Sequence, residues 1–149
     1  MLNLSKGQKI KLTSICPSLN IKLIFSFQPP ADNVVDISCL GVDENDYLSD
    51  DRYFVFYNQT ASPENAILMK DNIFEVYISQ LPPQIKKLIF AATIDGNAVM
   101  SELGNCQITF KENNTSIASY EFSGHDFQDE KAIILTELYI CLLYTSRCV

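Results

Sequence analysis

Residues 48–67 read LSDDRYFVFYNQTASPENAI, and the run at 53–57, Tyr-Phe-Val-Phe-Tyr, is the most strongly patterned stretch of the chain. An unbroken series of aromatic and β-branched residues between turn-formers suits a strand buried on both faces far better than a helix. The polar turn Asp43-Glu44-Asn45-Asp46 and then Ser49-Asp50-Asp51 precede it; Asn58 and Ser62-Pro63-Glu64-Asn65 follow it. Asx and Ser side chains of this kind bond local backbone and close turns. The expectation is a rigid central strand with oxygen-bearing side chains at both ends, an arrangement that serves a ligand site or two ordinary turns equally well.

Working outward, the chain alternates or runs apolar at 8–13 and 19–27, with Cys16-Pro17-Ser18 as a turn between. Residues 28–33, QPPADN, form a loop, because two prolines cannot both serve a ladder. Residues 34–42 alternate in part, which puts Asp36 on one face and the apolar set on the other. Short strands are expected at 73–78 and 88–94, separated by a turn at 81–85, and the segments 106–110 and 116–122 flank KENNT as a hairpin. Residues 131–140 fit a strand or a short helix by pattern alone. Many short strands at close spacing and no long amphipathic helix point to an all-β chain, a β-sandwich of two antiparallel sheets.

Composition sets the outer bounds. A chain of 149 residues is one domain's worth, and that size buries roughly 68–70% of its extended surface. With 47% hydrophobic and 19% charged residues it is an ordinary globular sequence. A net charge of −7 argues against a nucleic-acid partner, because no basic patch is there to neutralise phosphates. Residues 1–12 carry three lysines where a signal peptide needs an apolar core, and no apolar run approaches the roughly 20 residues of a membrane span. The five cysteines, Cys16, Cys39, Cys106, Cys141 and Cys148, have neither C-x-x-C spacing nor a histidine cluster. They read as reduced, mostly buried small hydrophobes of a cytoplasmic protein.

Five segments, in order, carry a resemblance. SDDRYFVFYNQ-x-x-SPE-x-A, LSKGQKIKL at 4–12, Val35-Asp36-Ile37-Ser38, LPPQIKKLIFAATIDG at 81–96 and SGHDFQDEKAIILTELY at 123–139 together resemble the TerD family of bacterial tellurite-resistance and stress-response domains. The resemblance implies a β-sandwich and assigns 131–140 to a strand. It implies partners among proteins of the tellurite and stress-resistance system, von Willebrand A-type domains among them. It also implies calcium, bound by an acidic motif before the central strand and an acidic Gly-rich loop after it. The family's strand ending in Glu-Leu-Tyr turns back through a basic hairpin into a Trp-bearing strand. Here Glu137-Leu138-Tyr139 is followed by Ile140 and CLLYTSRCV, where residues 141–146 resemble a translated sequencing adaptor. The expectation is a TerD-like domain at 1–140, C-terminally truncated by its last hairpin strand, and a non-native tail at 141–149. Loss of that partner would expose the edge of the 131–140 strand.

Calcium takes six to eight oxygens at about 2.3–2.6 Å. Matched onto the family's positions, Asp36, Asn58, Asp71 and Asp95 are the metal candidates, while Val34 replaces the motif's first Asp and the acidic loop is absent. The bland account has Asp36 at a strand-edge turn, Asn58 bonding backbone and the others solvated. DEND at 43–46 lacks the glycine and bidentate Glu of an EF-hand. The single histidine, His125, sits in the expected loop SGHD; no nucleophile elbow, phosphate loop or zinc spacing accompanies it, so no catalytic apparatus is expected. The expected function is a non-enzymatic stress-response module for protein interaction with a weak or degenerate calcium site. The alternatives are a calcium-dependent sensor or buffer of the same system, and a Cys-based redox protein, which needs exposed low-pKa thiols.

Overall fold

The computed structural model describes residues 2–8, 14 and 16–140. Its centre is a pair of nine-residue antiparallel strands, β3 (Val34–Val42) and β7 (Lys87–Asp95), registered from Val34 opposite Asp95 to Val42 opposite Lys87. On one side β10 (Ala132–Tyr139) pairs with β7, and on the other the two-residue β4 (Phe54–Val55) pairs with β3. These four strands make one sheet, in the order β10-β7-β3-β4. The other has six: β1 (Leu2–Leu4), β9 (Thr115–Ser123), β8 (Asn105–Glu112), β2 (Asn20–Ser26), β6 (Ile73–Tyr77) and β5 (Ile67–Lys70), in that spatial order. All pairs are antiparallel except β1 with β9.

Alternation explains why these residues sandwich. Val35, Ile37 and Cys39 of β3 and Leu88, Phe90, Ala92 and Ile94 of β7 face inward and are buried. Ile21, Leu23, Phe25, Phe74, Val76, Ile108 and Phe110 meet them from the larger sheet. Phe25, Phe74 and Phe90 form the aromatic centre, with ring centroids 5.4–5.9 Å apart, a spacing that favours edge-to-face contact. The all-β sandwich expected from the sequence is what forms. The strands at 20–26, 34–42, 73–77 and 87–95 and the hairpin fall where the alternation puts them, and 131–140 is a strand. The hairpin turn is tighter than the five-residue connection expected, with Asn113 at φ 56° between strands ending at Glu112 and starting at Thr115. Most of the expected first strand, 9–13, and the tail 141–149 lie outside the described residues.

One expectation is overturned. Residues 53–57 are not a central, doubly buried strand. Tyr53 closes a 3-10 turn (Asp51–Tyr53), only Phe54 and Val55 pair with β3, and Tyr57 is 66% exposed. Phe56 and Gln59 exchange backbone hydrogen bonds of 3.0 and 2.9 Å, so the chain reverses at Tyr57-Asn58 before a longer strand can form. The aromatic run finds its packing differently: Val55 and Tyr53 enter the core, while Phe54 and Phe56 stack on the outer face at 4.6 Å.

Candidate functional site

The polar residues around the aromatic run hold its backbone. Asp50 accepts from Arg52 N (3.0 Å) and pairs with the Arg52 guanidinium at 2.8 Å. Those hydrogen bonds hold the Asp50 carboxyl below the usual carboxylate range. The Gln59 amide donates to both Asp51 O (2.8 Å) and Phe54 O (2.7 Å), bracing the 3-10 turn from eight residues away. Buried Ser62 accepts from Ile67 N at 2.9 Å through its hydroxyl, and its own N–H donates to Ile67 O. Ser62, Gln59 and Asp50 are therefore spent within the fold, each satisfying main-chain groups that the short edge strand leaves unpaired.

Gly124 has an equally local reason in SGHDF. A β-carbon there would lie 2.6 Å from Ser101 O and against Leu103 O, so only glycine lets the 3-10 turn Gly124–Asp126 seat on the turn Met100–Glu102. Ser123 and Asp126 close the turn as a capping box. His125 is exposed in this turn. Among the described residues Cys16, Cys39 and Cys106 are buried free thiols, and burial pushes the pKa of each upward. A buried thiol of raised pKa is a poor nucleophile and a poor soft-anion ligand.

The four metal candidates lie toward one end of the sandwich, the end at which β2 passes to β3, and the register brings only Asp36 and Asp95 together. Asp36 lies opposite Thr93, and Asp95 lies opposite Val34. The two carboxylates thus occupy a diagonal of the outer face of the four-stranded sheet, a spacing of about 7–8 Å. Asn58 sits in the exposed turn after Phe56, and Asp71, at φ 55°, in the β5–β6 turn, whose Asn72 O accepts from Phe25 N. The described residues hold no group of three or more His, Cys, Asp or Glu placed to share a metal ion.

Sequence reasoning did not foresee two features. One is a lysine clamp at the opposite end: Lys87 Nζ meets Asp46 at 2.9 Å and Glu137 at 3.1 Å and lies 5.3 Å from the centre of the Tyr139 ring. The two carboxylates raise its pKa and join the 43–47 turn to β7 and β10. The pair Lys86-Lys87 at the head of an apolar strand was the signal. The other is an apolar outer surface on the four-stranded sheet. Ile89, Leu40 and Phe54 lie half-buried in one row across three strands, with Ile134, 61% exposed, next to them on β10, while Val34, 57% exposed, stands apart beyond Ser38 and Asp36. Beside β10, an open cleft of about 360 Å³ lies between the sheets, walled by Phe110, Phe122, Phe127 and Leu135 among others. No helix among the described residues is long and apolar enough to cross a membrane.

The family model described as TerD domain matches residues 1–141. Tellurium resistance protein TerA of an Alcaligenes species is 34% identical over 57% of this chain, which spans only about a quarter (26%) of that protein. General stress protein 16U of Bacillus subtilis is 27% identical, and YceE, an uncharacterised protein of the same organism, 28%; each alignment covers 93% of this chain and 83% of the relative. Among solved structures, a protein of unknown function, SAV2460, superposes with a TM-score of 0.58 at 16% identity, covering 80% of this chain and 79% of that one. A homologue of the telluride resistance protein TerD from Streptomyces coelicolor, SCO6318, gives 0.57 at 14% identity, with 80% of each chain covered. These two likenesses establish the fold.

Proposed function

The chain belongs to the TerD domain family, and from that premise we propose that it is a non-enzymatic, cytoplasmic binding module of the tellurite-resistance and stress response that acts through protein contacts. The observation that carries this reading is the outer face of the four-stranded sheet, where Ile89, Leu40 and Phe54 form a half-buried apolar row across three strands with exposed Ile134 beside it. Contiguous exposed apolar surface of this kind marks interaction sites. Gln59 and Ser62 are already bonded to backbone, and the described thiols are buried. Partners within the same resistance system, von Willebrand A-type domains included, would present a complementary apolar patch. The test is complementation of tellurite tolerance in a sensitised bacterial host. Ile134→Lys/Tyr57→Ser changes two exposed residues at the margins of this face and leaves the core intact. Loss of tolerance with an unchanged melt supports the reading; full tolerance from the folded variant removes it.

A calcium-dependent sensor is the second reading, favoured by the diagonal Asp36–Asp95 pair and by Asn58 and Asp71 at the same end of the sandwich. Two carboxylates on a diagonal supply a minority of the six to eight oxygens calcium needs, so waters and carbonyls would complete the shell and the affinity would be low. Binding to the native state raises the melting midpoint by mass action. A rise with millimolar calcium that Asp36→Asn abolishes supports the sensor; a midpoint identical in calcium and in chelator ends it.

A further inference from the structure

Resting on the reading of the four-stranded sheet's outer face as an interaction surface, we propose that its partner is an amphipathic helix of another protein, apolar at one end and carrying Lys or Arg two to three turns further on. Strand register lays the outward side chains of this face out in rows. Ile89, Leu40 and Phe54 make the apolar row. Ser38 and Ala91 come next, then Asp36 opposite Thr93, and last Asp95. The two ends of the face therefore differ in chemistry, and the side chains between them are small.

That order sets what an occupant must carry. Small residues in the middle let its backbone come close, and a helix laid on a sheet is an ordinary layer packing. From Leu40 to Asp36 is four residues of strand, about 14 Å, the rise of about nine helical residues. A helix meets this face with apolar residues at i, i+3 and i+4 and a basic residue about seven to eleven positions after the first of them. The difference between the ends also fixes which way the helix points.

Charge selects the partner. In the four strands of this sheet the only basic residue is Lys87, and it is held between Asp46 and Glu137. Asp36 and Asp95 form no ion pair with any described residue. Set on a diagonal of about 7–8 Å, they can close on one ammonium or guanidinium in charge-assisted hydrogen bonds. A net charge of −7 draws in a basic segment and repels an acidic one. The same carboxylates disfavour a second copy of this chain, which would bring like charge to like. The apolar row is short, so the contact belongs to the weak, transient class.

The test is a titration of the full chain, in chelator and reductant, with a synthetic peptide of about 18 residues, long enough to hold a helix. It carries Leu at the three apolar positions and Lys at the two basic ones; a second peptide has Glu in place of both Lys. The expected result is that the Lys peptide shifts the backbone amide resonances of Leu40, Ala91 and Asp36 and binds roughly tenfold tighter than the Glu peptide. Added salt narrows that gap. Asp36→Asn/Asp95→Asn, which changes only outward side chains, closes most of it with an unchanged melt. Equal binding of the two peptides overturns the basic partner while leaving the face an interaction surface. A gap that persists in the Asp36→Asn/Asp95→Asn protein, or shifts confined to other parts of the molecule, also overturns it. So does a lack of binding by either peptide up to about millimolar concentration; the interaction reading itself then stands or falls on the Ile134→Lys/Tyr57→Ser tolerance result.

Discussion

The two edges of the four-stranded sheet are built in opposite ways. The β4 edge is short and closed by side chains: Gln59 holds Asp51 O and Phe54 O, Asp50 caps the 3-10 turn, and Ser62 fastens the loop that follows. The β10 edge is long, bulged at Leu135, and held by main-chain bonds to β7 and by the Lys87 clamp to Glu137. Both rest on the same inner layer, since Val55 and Leu138 are buried on facing sides of the β3–β7 pair. The difference teaches that the densest sequence signature in this chain marks the edge that needed special chemistry to terminate.

The contrast can be broken from beneath. Phe90 is fully buried between Phe25 and Phe74 under both edges, so Phe90→Ala should cost about 3–5 kcal/mol and collapse both together in a single denaturant transition. A second change separates the edges. Ser62→Ala strips a buried acceptor from Ile67 N, an unsatisfied group that costs about 1–3 kcal/mol. Hydrogen exchange should then rise around 54–67 and stay unchanged across β10; equal acceleration at both edges would show that they are not independent. The smallest effect sharpens the comparison through pH. The Asp50 carboxyl is lowered chiefly by the Arg52 side chain, so what it adds to stability is complete above the ordinary Asp range near pH 4 and is lost as pH falls through the lowered value. Asp50→Asn should flatten the acid limb of the stability profile there by a small amount, the pair being exposed. A steeper limb in the variant would contradict the assignment.

Much of the sandwich was legible because period-two alternation is a local signal. Val35, Ile37 and Cys39 announce the inner face of β3 by themselves, and Leu88–Ile94 can be little other than a buried strand. The aromatic run at 53–57 was misplaced because an apolar run states that it will be packed, not whether it lies at the centre or the rim of a sheet. The deciding bonds, from Gln59 back to Asp51 and Phe54, span eight and five residues and follow no pattern of period. The candidate oxygens were each identifiable as polar residues at strand ends. That Asp36 meets Asp95 while Asn58 and Asp71 lie on other elements depends on which strands become neighbours, and β4, β5 and β6 are distributed over two sheets.

By itself the sequence determined the fold class and the family, since both rest on residue order: alternating burial over eight-residue strands, and five motifs in a set succession. Only the tertiary structure decided which strand is an edge, which polar groups are consumed by backbone, and how the apolar residues Leu40, Phe54, Ile89 and Ile134 come to neighbour one another. Those outcomes depend on register between residues as far apart as Val34 and Asp95, where no local preference reaches and the free energy of packing chooses among pairings.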